Sequence, residues 1–246
     1  MGGDKYAFQG EGTVKAKIEA DYHVAVYPVT NAQYDAFESS PEFRRAGWER
    51  RRRGGAGFDG PNQPVVGVTW EGARRFCEWI NSRGLSGRQL GIKDAREGEG
   101  WEVRLAEEWE WEYAARGAEG RWLPWMERAG KGGVAPKAEG SLLKGRCNWN
   151  GSGIGSPSAV GMYPEGRSWC GAEDMIGNVW EWTATPRRTS PGEEDTQVPR
   201  VLRGGSWGSG VPESLRCAAR GDGGPGNSVD LVGFRVVCVR VSASGG

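Results

Sequence analysis

Three stretches in the first half of the chain have the apolar spacing and the start signals of α-helices. Residues 30–39 open with a Thr that is followed three positions later by Gln, which is the spacing of a capping box. A second helix is predicted after Thr69, because apolar residues then recur at intervals of three and four positions. Its apolar face consists of Ala73, Phe76, Cys77 and Ile80. A third helix is predicted over 106–116, with Gly117 as its C-terminal cap.

The other segments have the patterns of short strands and loops. Residues 1–26 alternate loosely between polar and apolar side chains and predict one or two strands, and 65–68 predicts a short buried strand. The charged, Gly-rich segment 41–62 is predicted to be a loop, and 186–199 a mobile surface loop. Short apolar and aromatic pieces fill the second half. The pattern predicts one α+β domain over 1–246, with two or three helices and a loop-rich β half.

The composition supports a domain with much ordered loop. The chain has 42 Gly and 13 Trp residues, which is typical of many turns and of a core filled by large rings. Lys plus Arg and Asp plus Glu both number 32, so the net charge is zero. This balance disfavours nucleic acid and acidic membrane surfaces as general partners. The run from Glu49 to Arg53 contains four successive arginines, and we interpret it as a solvated segment.

The cysteines and the apolar runs indicate further properties. None of the five cysteines forms a Cys-x-x-Cys pair, so a zinc knuckle is not expected, and Cys77 on the second helix is interpreted as a small buried side chain. No apolar segment of a signal peptide follows Met1, and no run of about 18 apolar residues predicts a membrane span. A cytoplasmic location is the default expectation.

Seven short motifs follow one another along the chain. They are Tyr-Pro-Val-Thr-Asn-Ala-Gln-Tyr at 27–34, Pro-Val-Val-Gly-Val-Thr-Trp at 64–70, Glu-Trp-Glu-Trp-Glu-Tyr-Ala-Ala-Arg-Gly at 108–117, Asp-Met-Ile-Gly-Asn-Val-Trp-Glu-Trp at 174–182, Arg-Gly-Gly-Ser-Trp at 203–207, Arg-Cys-Ala-Ala-Arg at 216–220 and Gly-Phe-Arg at 233–235. In this order they resemble the formylglycine-generating enzyme, or sulfatase-modifying factor, domain family. The resemblance extends from about residue 22 to 241 and implies a variant of the C-type lectin fold.

The resemblance implies two activities whose essential residues this sequence lacks. Formylglycine-generating members bind copper through two cysteines that follow the Gly-Gly-Ser-aromatic motif. Ser209 matches the first position, and no cysteine occurs over 210–215. A hydroxyl cannot replace a soft thiolate on Cu(I). Sulfoxide synthases of the ergothioneine type bind iron through three histidines, and His23 is the only histidine of this chain. We therefore expect no copper, iron or catalytic residue. An enzyme of the same superfamily with an unassigned oxidative or hydrolytic site is the alternative.

The C-terminal end resembles the variable proteins of diversity-generating retroelements, a subset of this family. The resemblance implies a variable region over about 201–236 that binds an unidentified protein or small molecule. Apolar anchors are expected at Trp207, Leu215, Ala218, Val232 and Phe234. The ligand-binding positions between them, within about 207–232, show no period of 2 or 3.6. They are Gly208, Ser209, Gly210, Ser214, Ala219, Gly221, Asp222, Gly223, Gly224, Gly226, Asn227, Ser228, Val229, Asp230 and Leu231.

The resemblance also implies a structural Ca²⁺ site beside the Gly-Asn-x-Trp-Glu motif. Some relatives bind calcium there. Carried over to this chain, the ligands are the side chains of Asp174 and Glu181 and the carbonyls of Gly177 and Val179. Two carboxylates with backbone oxygens are a donor set that suits Ca²⁺. The expected role is to stiffen the loops.

Overall fold

The computed structural model describes residues 22–49, 51, 55–92, 96–97, 99–126, 140–187 and 198–241. These residues form four α-helices, seven β-strands and four short 3-10 helices. The helices are α1 (Asn31–Glu38), α2 (Pro41–Ala46), α3 (Trp70–Ser82) and α4 (Glu108–Arg116). The strands are β1 (Tyr22–Val24), β2 (Gly100–Leu105), β3 (Trp180–Pro186), β4 (Arg200–Arg203), β5 (Arg220–Gly223), β6 (Val232–Phe234) and β7 (Val236–Val241).

The helices α1, α3 and α4 confirm the helix predictions. Thr30 and Gln33 form the capping box of α1. The Thr69 hydroxyl accepts a hydrogen bond of 3.0 Å from the backbone N–H of Gly72 at the start of α3. In α4 the Glu110 carboxylate accepts from the Glu107 N–H at 2.8 Å. Each cap satisfies backbone N–H groups that the first helical turn leaves unpaired.

Two predictions for the first half are wrong. The segment 41–62 is not loop throughout, because it begins with α2, which raises the number of helices to four. The Ser40 hydroxyl caps α2 through the Phe43 N–H, and Gly47 ends it in the left-handed conformation at φ 64°. The segment 65–68 is buried as expected, but it joins neither sheet. Its first N–H instead donates to the Val29 carbonyl at 2.8 Å.

Two sheets meet at the C-terminal end of the chain. The first has the strand order β1-β7-β2 and is antiparallel. The second has the order β5-β4-β3-β6, in which β3 and β6 run parallel. Only Arg235 separates β6 of the second sheet from β7 of the first. This single residue is therefore the point at which the chain passes from one sheet to the other.

The core consists of two apolar clusters. One contains the aromatic rings of Phe37, Phe76 and Phe234 and extends to Trp182. The other surrounds Trp111 and contains Leu123, Met175, Leu143 and Leu215. Of the predicted strand segment 1–26, only 22–26 is described, and of the predicted mobile loop only 186–187 and 198–199; the rest of both lies outside the described residues. Within the described part of the chain, no helix is both long and apolar enough to cross a bilayer.

Candidate functional site

The C-terminal region forms a surface from two segments, here called the first surface segment (207–214) and the second surface segment (224–231). Trp207 joins them, because its indole Nε1 donates to the Asp230 carbonyl at 3.1 Å. The same ring packs edge-to-face on Phe58 with 5.6 Å between the ring centroids. At Gly208 a Cβ would lie 2.9 Å from the Leu231 side chain, so the two segments are in close contact there.

Main-chain hydrogen bonds from other parts of the chain fix the backbones of both surface segments. The Asn150 N–H donates to the Ser209 carbonyl at 3.3 Å. In the second surface segment, the Val229 carbonyl accepts from the Gly67 N–H at 3.0 Å, and the Pro225 carbonyl accepts from the Trp70 N–H at 3.1 Å. These bonds use backbone atoms, so they do not depend on which side chains the surface segments carry.

The fifteen expected ligand-binding positions differ in exposure. Seven are exposed and are called the seven exposed positions below: Gly208, Gly210, Asp222, Gly226, Asn227, Val229 and Asp230. Six are half-buried: Ser209, Ser214, Gly221, Gly224, Ser228 and Leu231. Ala219 and Gly223 are buried, so the expectation that they lie on the surface is wrong.

Pairing of β5 with β4 explains both buried positions. Gly223 lies beneath the Trp182 ring, where a Cβ would come within 2.8 Å of the indole. The Ala219 carbonyl accepts from the buried guanidinium of Arg203 at 2.7 Å. The sequence between the anchors showed no strand period, since glycines at two of the four β5 positions hide the alternation.

The expected anchors are mostly correct. Leu215, Val232 and Phe234 are buried at 0%, 4% and 0% exposure. Trp207 and Ala218 are half-buried instead. Trp207 is thus both an anchor and a part of the surface, because its ring bonds Asp230 and packs on Phe58 while the residue stays partly accessible.

The position that matches a copper ligand of the relatives, Ser209, has a structural role in this chain, and His23 and Cys217 also have structural surroundings. The Ser209 hydroxyl accepts from the Ser206 N–H at 3.0 Å and closes a tight turn. His23 lies on β1 opposite Cys238 and packs edge-to-face on Trp101, 5.3 Å between centroids. Burial raises the pKa of the Cys217 thiol to about 12, so it is protonated at neutral pH. Among the described residues no three His, Cys, Asp or Glu side chains cluster as a metal site.

Asp174 and Glu181, the expected calcium ligands, are both buried but differ in their partners. Asp174 has φ 55°, and its Oδ2 accepts from the Gly161 N–H at 3.0 Å. Its Oδ1 is buried and has no hydrogen-bond partner in the described part of the chain. Burial raises the pKa of Asp174 to about 6. A bound cation would offset the cost of this buried charge, so Asp174 fits a calcium ligand.

Glu181 is already paired with a cation. Arg235 donates from Nε to Oε2 at 2.7 Å and from Nη2 to Oε1 at 2.8 Å, and Trp111 Nε1 donates to Oε2 at 2.6 Å. Glu181 could therefore reach a calcium ion only by sharing its carboxylate with these donors. Of the two carboxylates in the expected ligand set, Asp174 therefore fits a calcium ligand better than Glu181 does.

Sequence reasoning missed the role of Asn178, which connects the surface to the loops beneath it. Asn178 has φ 61° and is completely buried. Its Oδ1 accepts from the Ser158 N–H at 2.9 Å, its N–H donates to the Asn148 carbonyl at 2.8 Å, and its carbonyl accepts from the Trp207 N–H at 2.9 Å. The Gly-Asn pair in the 174–182 motif was the available signal, since Asn tolerates the left-handed conformation.

Comparisons with known proteins agree with this architecture. A model of the family described as the sulfatase-modifying factor enzyme 1-like domain matches residues 2–240. The hercynine oxygenase of Mycolicibacterium thermoresistibile is 30% identical over 243 residues, which cover 83% of this chain and 48% of that protein. The chain thus spans about half the length of this relative.

One further relative and one solved structure extend the comparison. The inactive C-alpha-formylglycine-generating enzyme 2 of Bos taurus is 26% identical over 247 residues, which cover 80% of this chain and 69% of that protein. The solved structure of Treponema denticola variable protein 1 superposes with a TM-score of 0.60 at 22% identity, over 89% of this chain and 84% of that one. At this identity the superposition shows a common fold.

Proposed function

Because this chain belongs to the family of sulfatase-modifying factor enzyme 1-like domains, we propose that it is a non-catalytic member that binds a ligand on its C-terminal surface. The observation that carries the proposal is the construction of the two surface segments. Their backbones are held by main-chain hydrogen bonds from loops beneath, while the seven exposed positions face outward. Such a surface can change its side chains without changing the core.

The finer proposal is that a retroelement diversifies this surface. The order of the motifs Gly-Gly-Ser-Trp, Leu-Arg-Cys-Ala-Ala-Arg and Gly-Phe-Arg near the C-terminus supports it. A reverse-transcriptase gene and a near-copy of the 3′ end beside the gene are the expected genomic observation. Absence of both would remove the support for diversification but would leave ligand binding to be tested on the protein.

A folding test addresses the display surface directly. One library randomises the seven exposed positions, and a matched library randomises the buried Ala219, Gly223 and Leu215. We expect most members of the first library to fold with a melting temperature within about 5 °C of the parent, since each exposed substitution changes stability by up to about 0.5 kcal/mol in either direction and seven such changes combine to about 1.3 kcal/mol. Most members of the second should unfold. Equal losses in both libraries would contradict a permissive surface.

An oxidative enzyme is the second candidate, and the relative named hercynine oxygenase favours it. The test is oxygen uptake by pure protein loaded with Cu(I) or Fe(II) in the presence of a thiol. We expect no uptake above the protein-free control, because one histidine and a protonated Cys217 do not supply the ligands that the relatives need. Metal-dependent uptake that saturates with substrate would overturn the non-catalytic proposal.

We also propose a structural calcium ion at Asp174. The unpartnered Oδ1 of Asp174 supports it, and the carbonyls of Gly177 and Val179 are the further ligands implied by the family resemblance. Calcium would supply a positive charge against the buried carboxylate and link the loop of Asp174 to its neighbours.

A further inference from the structure

A cavity of about 540 Å³ lies between the first two helices and the second surface segment. Its volume is within the range of small-molecule sites, roughly 300–1,000 Å³. One wall is aromatic and consists of the half-buried Trp48 with Tyr34 and Phe43, which are 3% and 5% exposed; Phe37 also borders the cavity but is 0% exposed. The opposite wall contains Gly226 and Ser228 of the second surface segment, next to Gly67. The Ser228 hydroxyl donates to the Gly67 carbonyl at 2.6 Å, so this wall is tied to the scaffold.

Arg75 of α3 lines the cavity and is held in one orientation. Its guanidinium carbon lies 4.9 Å from the centroid of the Trp48 ring. Its Nε donates to Glu71 Oε1 at 3.2 Å. The two terminal nitrogens of Arg75 make no hydrogen bond to any described residue. A guanidinium fixed by stacking and by one carboxylate keeps a pair of donors for a ligand oxyanion.

Tyr34 supplies a second donor. Its hydroxyl approaches α3 where Gly72 has no side chain, and a Cβ there would lie 2.9 Å from the hydroxyl oxygen. Burial raises the pKa of Tyr34 far above its ordinary value of 10. The hydroxyl is therefore protonated at neutral pH and able to donate.

Arg51 places a buried positive charge beside the same cavity. Its side chain is 1% exposed, and its Nη2 donates to Asp35 Oδ1 at 2.9 Å. Its Nε has no partner among the described residues, and its guanidinium carbon lies 5.9 Å from the Tyr34 ring centroid. The interpretation of the arginine run as a solvated segment is thus wrong at Arg51.

The surrounding charges favour an anion. Within the described part of 41–53, the three arginines Arg44, Arg45 and Arg51 outnumber the two glutamates Glu42 and Glu49. The helix carboxylates Asp35, Glu38 and Glu71 do not line the cavity, and each already accepts a hydrogen bond: Asp35 from Arg51, Glu38 from the Arg51 N–H, and Glu71 from Arg74 and Arg75. Glu49 on the lining is exposed to solvent.

We propose that this cavity binds a small organic oxyanion, a carboxylate or a phosphate, attached to a flat apolar body. The oxyanion contacts Arg75 and the Tyr34 hydroxyl, and the flat body lies against the accessible part of the Trp48 ring. This inference goes beyond the proposed function and does not require that the surface be diversified. Where the surface does vary, substitutions at 226 and 228 change which ligand the cavity prefers, while Arg75 on α3 stays the same.

The experiment titrates the full chain with phenyl phosphate, benzoate and the neutral benzyl alcohol, and follows the Trp48 indole N–H by NMR. We expect at least one of the two anions to bind at least tenfold more tightly than benzyl alcohol, and the ratio of the two anions identifies the oxyanion. Arg75→Gln should remove this preference, and Arg75→Lys should restore part of it. Arg44→Gln, on an exposed helix position outside the lining, is the matched control and should bind like the parent.

The outcomes separate this inference from the proposed function. Equal binding of the neutral and the anionic probes, or no binding of any probe, overturns the oxyanion site and leaves the library test of the display surface unaffected. An anion preference that survives in Arg75→Gln also overturns it. Ser228→Trp gives an independent check, because an indole at the mouth should weaken anion binding at least tenfold without removing Arg75. A thermal melt of each variant identifies any loss caused by unfolding.

Discussion

Arg235 is the residue on which the connection between the two sheets depends. It follows β6 and precedes β7, and it is 1% exposed. Besides the Glu181 pair, its Nη1 donates to the Ala25 carbonyl at 2.9 Å and its Nη2 donates to the Glu173 carbonyl at 2.8 Å. One guanidinium thus bonds the segment after β1, the residue before Asp174 and β3 together. A buried charge is tolerable here only because all these acceptors surround it.

The first prediction concerns the partner of this residue. Glu181→Gln keeps the shape of the side chain but leaves the Arg235 charge buried and uncompensated. We expect the free energy of unfolding to fall by about 3–5 kcal/mol, the usual cost of breaking a buried pair from one side. Urea denaturation in EDTA measures this without a contribution from calcium.

The matched control for this variant is an exposed pair. Glu42 lies 3.7 Å from Arg45 on the surface of α2. Glu42→Gln should change the free energy of unfolding by less than about 1 kcal/mol, since exposed ion pairs contribute little. A loss at Glu181→Gln no larger than that of the control would show that Arg235 finds other compensation.

At the scale of elements, glycines distinguish the scaffold from the surface. At Gly233 in β6 an added Cβ would lie 2.3 Å from the Val65 carbonyl oxygen. This close approach seats β6 against the buried 65–68 segment. At Gly210 in the first surface segment nothing lies within 4 Å of an added Cβ. A Gly→Ala substitution at each of these two positions therefore compares the scaffold with the surface.

The second prediction follows from this contrast. Gly233→Ala should lower the free energy of unfolding by about 1–3 kcal/mol, because backbone atoms must move to admit the methyl group. Gly210→Ala should leave it within about 0.5 kcal/mol, as for an open surface position. Thermal and urea unfolding of both variants measure the difference. Equal effects would mean that the first surface segment is as constrained as the core.

Local signals were sufficient for the elements that carry their own caps. The helices α1 and α3 could be predicted because Thr30 and Thr69 precede an apolar face of the correct period. The loop assignment for 41–62 missed α2, whose six residues are too few to show a period. Its Ser-Pro start and Gly47 end were the available signals.

Contacts between segments that are distant in sequence determine the features that local sequence patterns could not predict. The strands β4, β5 and β6 have only three or four residues, and their sheet forms by pairing across the second half of the chain. Arg203 Nη1 donates to the carbonyls of both Ala218 and Ala219, yet only Ala219 is buried, a difference that no local pattern encodes. The expected surface is therefore wrong at Ala219 and Gly223, which are buried, and the ligand-binding role of the other positions stays a prediction.

At the scale of the whole molecule, the same loops contact both the buried scaffold and the first surface segment. Asn178 links the Asn148 and Ser158 loops to Trp207, and the 174–182 motif also carries Asp174. Restricting the motion of this motif would thus also restrict the first surface segment, through Asn178 and Trp207. A calcium ion at Asp174 would act at the centre of this arrangement, distant in sequence from the surface that it supports.

The third prediction tests that ion. Adding about 1 mM Ca²⁺ to EDTA-treated protein should raise the melting temperature by about 5–10 °C, which corresponds to the roughly 2.7 kcal/mol gained when a ligand is present at 100 times its Kd. Asp174→Ala should abolish this response whatever its own stability, because the carboxylate oxygen that lacks a protein partner is gone. Mg²⁺ at the same concentration should have a much smaller effect, since it requires near-octahedral geometry and retains its water. Identical melting in EDTA and Ca²⁺ would exclude the site.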